Sequence, residues 1–112
     1  MDPSLRAAKI RILNDQLRQR RVGGEIVFVG DLALENTPEL KDAILDALAA
    51  YDAFDEGDDP YQEHDFGSIE VNGEKMFWKI DYFGVDRLHL TEDATDPAKT
   101  VRLLQVMYAR DY

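Results

Sequence analysis

Apolar side chains recur at helical spacing behind three points where a capping residue precedes a proline: Asp2-Pro3, Thr37-Pro38 and Asp96-Pro97. At such a point the side-chain oxygen accepts from otherwise unpaired amides, and proline at the first helical position has no amide to leave unpaired. The first stripe, Leu5, Ala8, Ile12, Leu13 and Leu17, predicts a helix ending near Val22, where Gly23-Gly24 suits a left-handed cap. The second, Leu40, Ile44, Leu45, Leu48 and Tyr51, predicts another. Val101, Leu103, Leu104, Met107 and Tyr108 follow the third cap and predict a closing helix.

Between the helices the period changes to two. "EIVFVG" is apolar on both parities, as a strand covered on two faces requires. "FGSIEVNGEKMFWKIDYF" reads as a hairpin, because Asn72-Gly73 is the favoured pair for a two-residue type I′ turn. That turn sets Val71 opposite Glu74 and Gly67 opposite Trp78, where a glycine leaves room for the indole. Only in this register do Ile69, Val71, Met76, Trp78 and Ile80 share one face. "RLHLT" is expected to return as a third antiparallel strand. The pattern predicts a single α+β domain over residues 1–112, in the order α-β-α-β-β-β-α, with helices packed on an antiparallel or mixed sheet.

Composition narrows the function classes. The 112 residues include no cysteine, which excludes disulfides and thiolate chemistry, and no apolar run long enough to cross a bilayer. "MDPSLRAAKIRIL" lacks the uninterrupted apolar stretch of a secretory signal, so a cytoplasmic setting is expected. The net charge of −10 is unevenly placed: residues 1–21 carry six basic and two acidic side chains, the rest seven and 21. A field of that sign repels nucleic acid and anionic membranes and attracts basic surfaces. The basic residues of the first helix do not reverse this, since Arg20 and Arg21 sit where cations complement the helix dipole and Asp15 can pair with Arg11 or Arg18.

The stretch "DEGDDPYQEHDFG" is the densest in chemistry. Extending the hairpin register three pairs past Gly67–Trp78 sets His64 opposite Asp81, with Glu63 and Asp65 beside it. A histidine oriented by a carboxylate serves as general base or metal ligand, or simply pins a strand end. No Ser, Cys or Thr nucleophile motif accompanies it. Asp52, Glu56, Gly57, Asp58 and Glu63 match five positions of a calcium loop, but Phe54 and Pro60 stand where ligands are needed. A looser hard-cation site from Asp55, Asp58, Asp59 and Glu63 is the remaining metal option, and two histidines without cysteine make a structural zinc site unusual. No metal and no cofactor is therefore assigned. "DFG" and the glycines around "EIVFVG" lack the surrounding kinase and dinucleotide-binding patterns. Phe66, Phe77 and Lys79 share the second hairpin face, which a helix must cover or which forms an exposed patch.

"EHDFG" followed by "FWKIDYF" resembles a small family of uncharacterised bacterial proteins, a domain of unknown function often encoded on plasmids and other mobile elements. The similarity is expected to run the full length, from "IRILNDQLR" to "VRLLQVMYARDY", with Phe83 standing where the family has a second tyrosine. The resemblance implies no activity, only an association with antirestriction and plasmid-maintenance proteins. Two readings follow. One is a protein-binding accessory or inhibitor, antirestriction-like, that presents Glu39, Asp42, Asp46, Asp55, Glu56, Asp58 and Asp59 to a basic protein. The other is a metal-dependent or acid/base enzyme centred on His64, Asp81, Glu63 and Asp65.

Overall fold

A computed structural model describes all 112 residues. Helix α1 (Pro3–Arg20) starts on the Asp2 cap, whose carboxylate accepts from Ser4 and Leu5. It ends at Arg20, two residues before Val22, because Arg21 itself adopts the left-handed cap at φ 60°. Strand β1 (Glu25–Phe28) leads into a short helix α2 (Asp31–Glu35), and α3 (Pro38–Ala50) begins on the Thr37 cap. The hairpin β2 (Phe66–Val71) and β3 (Glu74–Gly84) follows, then β4 (Thr100–Tyr108) and a closing 3-10 turn, Ala109–Asp111.

The four strands form one mixed sheet in the order β1-β4-β3-β2, with β1 parallel to β4 and the other pairs antiparallel. Fold class and hairpin are as the sequence predicts, down to Gly67 opposite Trp78. A methyl group on Gly67 would sit 2.6 Å from the Tyr51 ring and 2.7 Å from the indole nitrogen, so the glycine makes room for both. Ile69, Val71, Met76, Trp78 and Ile80 face Leu17, Ile44, Leu45 and Leu48 across one core, together with Leu104, Val106 and Tyr108.

The order is α-β-α-α-β-β-β, which corrects the sequence reading at both ends of the last segment. No helix follows Asp96-Pro97. The Asp96 carboxylate accepts from Ala98 in a tight turn instead, and Thr100–Tyr108 is a strand. Its apolar residues fit either period, and Val101, Val106 and Thr100 are β-branched, so pairing with both β1 and β3 decides. "RLHLT" is not the third strand: it touches β3 through one isolated bridge, Phe83 to Leu90, and β4 takes the place beside β3. In α1 the buried stripe is Ile10, Asn14, Leu17 and Arg18, while Leu5 and Ile12 are exposed. No helix covers the second hairpin face; Tyr112 packs on Phe66 and Phe77 with ring centroids 5.7 and 4.9 Å away.

Candidate functional site

Two polar side chains on the buried stripe of α1 organise the region that holds His64. Asn14 is fully buried and paired at both ends: its amide donates to the Glu63 carbonyl at 3.0 Å and the Tyr82 hydroxyl at 2.8 Å, and its oxygen accepts from Arg102 Nε at 2.7 Å. Arg102 also donates to the Ala94 carbonyl. Arg18 donates to the Leu48 and Tyr51 carbonyls at 2.7 and 2.8 Å, which joins α1 to the end of α3, and reaches Asp15 at 3.2 Å. Its Nε has no partner, and its guanidinium lies over the rings of Phe54 and Trp78. Pairing is what lets two arginines remain inside. Burial still lowers the Arg102 pKa and raises that of Tyr82, the latter in spite of its bond from Asn14.

His64 sits on this frame and not where the hairpin register points. The ladder reaches Asp65, whose carbonyl accepts from Ile80 at 2.8 Å, and then stops, because His64 takes φ 56°. A residue in the left-handed region cannot continue a strand, so the ring leaves Asp81 and turns toward α1. Its Nδ1 lies 2.8 Å from Asp15, its Nε2 3.8 Å from Asp59, and its ring stacks on Phe54 at 3.7 Å. Asp81 is engaged elsewhere, accepting from Gln105 at 2.5 Å and lying 3.7 Å from Lys79. Gln62 is left-handed as well, so the loop is strained on both sides of Glu63.

The other expected residues divide. Glu63 turns inward, accepting from Tyr82 at 2.9 Å with Arg6 at 3.9 Å. Asp65 is half-buried with a pKa raised to about 6, by burial first and then by the charge of Glu63. Asp59 is only 4% exposed and accepts from the His64 amide, so it braces the loop and is not part of an outer surface. Asp55 accepts from the Asp58 amide. Glu39, Asp42, Asp46, Asp55, Glu56 and Asp58 are all exposed. Neither the partial calcium-loop match nor the looser hard-cation option has geometric support: no group of three or more His, Asp or Glu side chains is placed to hold a metal ion.

What the arrangement offers chemically is one imidazole with an oriented Nδ1, at the wall of a depression of about 300 Å³ that Arg11, Phe54, Asp55, Glu56 and Gln62 also line. The Asp15–Arg18 pair is one the sequence offers and the structure forms; what sequence reasoning missed are Asn14, Tyr82 and Arg102, and Asp15 as the partner of His64. A signal existed for the helix: Asn14 and Arg18 are spaced at i, i+4 and i+8 from Ile10, and polar residues on an apolar stripe imply buried partners.

Fold and site together define a small α+β domain in which a basic helix clamps an acidic loop against a mixed sheet. The chain belongs to the family of proteins of unknown function DUF3768, whose profile matches residues 29–111. The similarity expected over the full length is thus found from Val29 onward; "IRILNDQLR", with Asn14 and Asp15, lies outside the matched segment although it holds the loop within it. No curated protein and no solved structure matches the chain. No helix is long and apolar enough to cross a membrane.

Proposed function

We propose that the domain is a protein-binding accessory or inhibitor, whose acidic surface on α3 and the following loop engages the cationic groove of a nucleic-acid-binding partner. One observation carries this reading. Residues 38–63 hold nine acidic side chains against the single lysine Lys41, a net −8 of the chain's −10. Of these, Glu39, Asp42, Asp46, Asp55, Glu56 and Asp58 are exposed, and none is in an ion pair. Glu39, Asp42 and Asp46 follow one another at i, i+3 and i+7, which aligns them on one stripe of the helix. Carboxylates held near one another without counterions repel one another, and they favour encounter with a basic surface. An antirestriction-like role is the form this takes in a family associated with mobile DNA.

The test is capture on the immobilised domain at low ionic strength, followed by challenge with salt and with duplex DNA. Nucleic-acid-binding proteins should be retained, released by either challenge, and lost on the variant carrying Glu39→Lys, Asp42→Lys and Asp46→Lys. Screening over about 8 Å at physiological salt makes the salt dependence obligatory. Retention that ignores both salt and charge reversal would reject the proposal.

A second reading, acid/base chemistry on His64, keeps one specific observation in its favour: the imidazole is oriented by a carboxylate beside an open depression. In that reading Asp15 is the orienting residue and Asp81 has no part. No Ser or Thr lines the depression, so the reaction would proceed through an activated water.

A further inference from the structure

The edge of the sheet, next to α3, carries a second binding feature. In the parallel register, β1 bonds to β4 through its odd-numbered residues, as the Val29 amide donating to the Val106 carbonyl shows. The amides and carbonyls of Ile26 and Phe28 therefore point away from the sheet, and no other strand flanks β1. Beside this edge lies a crevice of about 280 Å³ between α1, α3 and β1. Its apolar lining, Leu17, Ile26, Phe28 and Leu45, is buried or half-buried. Its polar lining includes Arg21 and Lys41, both exposed and both without a side-chain hydrogen bond or ion pair. In a molecule of net charge −10, two uncommitted cations flanking one apolar crevice form a local reversal of sign.

We infer that the β1 edge and this crevice bind the C-terminal end of an extended peptide, which adds as a fifth strand. The apolar side chain of its last residue fills the crevice, and its terminal carboxylate meets Arg21 and Lys41. The carboxylate and the apolar group must enter the same small cavity, and a C-terminal apolar residue carries both within a few bonds. An internal Asp or Glu does not. The volume lies just below the roughly 300–1,000 Å³ of ligand cavities generally, which suits a single residue. Outward amides and carbonyls at Ile26 and Phe28 supply the main-chain pairing that strand addition requires.

The experiment uses the whole protein and fluorescein-labelled pools of random hexapeptides ending in Ile, Leu, Val or Phe, as free acids or as C-terminal amides. Anisotropy should show the acids bound and the amides weaker by about tenfold or more, the scale of a lost charge-assisted hydrogen bond. Arg21→Gly, which suits the left-handed cap, combined with Lys41→Ala should weaken the acids alike while leaving the fold intact. Methylating the peptide amides one at a time should weaken binding at every second position, the signature of a paired strand. Equal binding of acid and amide, no period of two, or no binding of either pool would overturn the inference.

Discussion

The chain has two histidines, and each places Nδ1 2.8 Å from an aspartate. For His64 the partner is Asp15, 49 residues away, the side chain is 24% exposed, and the ring stacks on Phe54. For His89 the partner is Asp86, three residues away, in a turn where the side chain is 81% exposed. The same contact therefore does different work. The first closes a long loop between the N-terminal helix and the sheet, in surroundings that exclude much of the water. The second fixes only a turn that the Asp86 carboxylate already organises by accepting from the Leu88 and His89 amides. Distance alone does not rank two histidine–aspartate contacts; burial and the chain separation they bridge do.

The largest break in that contrast removes the support beneath the His64 loop. Asn14→Leu keeps the branched four-atom skeleton of the side chain, with bulkier methyl ends, but takes partners from Arg102 Nε, the Glu63 carbonyl and the Tyr82 hydroxyl at once. Taking one hydrogen bond each from a buried guanidinium, which keeps Ala94, and from two part-buried groups, of which the Tyr82 hydroxyl keeps Glu63, is expected to cost about 3–5 kcal/mol, read as a lowered urea midpoint with an unchanged slope. A loss under about 1 kcal/mol would mean that water replaces the amide and that the seam does not hold the loop.

A smaller effect, of opposite sign, comes from Asp65. Its folded pKa of about 6 exceeds the ordinary value of 3.8, chiefly through burial and then through Glu63. The folded state therefore binds the proton more tightly than the unfolded chain. Ionisation is unfavourable to folding above pH 6, and that penalty is relieved as the pH falls from 6 toward 4. Asp65→Asn should raise stability at pH 7.5 by about 1–2 kcal/mol, discounted for partial exposure, and the difference should vanish near pH 4. Chemical denaturation of both proteins across that range measures it. A constant difference would assign the effect to packing and not to charge.

How much of this is legible in the sequence follows from where each determinant lies. The hairpin is local: Asn72-Gly73 sets the turn, and the face shared by Ile69 to Ile80 follows from it. Helices α1 and α3 announce their starts through Asp2-Pro3 and Thr37-Pro38. Helix α2 does not, because its first amide, on Asp31, donates to Asp111, 80 residues further on. Strand β4 looks helical in isolation and becomes a strand because β1 and β3 pair with it on both sides. The His64–Asp81 pairing fails for a similar reason. It assumes that a ladder continues, and the buried Asp59 and the carbonyl bonds from Asn14 and Arg11 draw the chain into a left-handed turn instead. The exposed acidic stripe needs no tertiary partner, so composition and helical spacing suffice to find it.

The smallest expected change is the sharpest test of the comparison between the histidines. His64→Ala removes the stacked contact with Phe54 and the bond to Asp15 at a half-buried site, and should lower stability by about 1–2 kcal/mol. His89→Ala removes a bond of equal length at an exposed site, where screening and side-chain entropy offset the attraction, and should move the thermal midpoint by no more than about 2 °C. The His89 contact is nonetheless real as a local interaction: the bond from His89, followed by those from the Leu88 and His89 amides, lowers the Asp86 pKa to about 2. In His89→Ala the Asp86 carboxyl, followed by carbon-detected NMR, should titrate at higher pH while staying below its ordinary value, because both amides still donate. A titration that shifts while the midpoint stays fixed would show that a perturbed pKa at an exposed turn carries little stability. A midpoint that falls as far as in His64→Ala would instead show that the turn anchors more of the segment between β3 and β4 than its single bridge to Leu90 suggests.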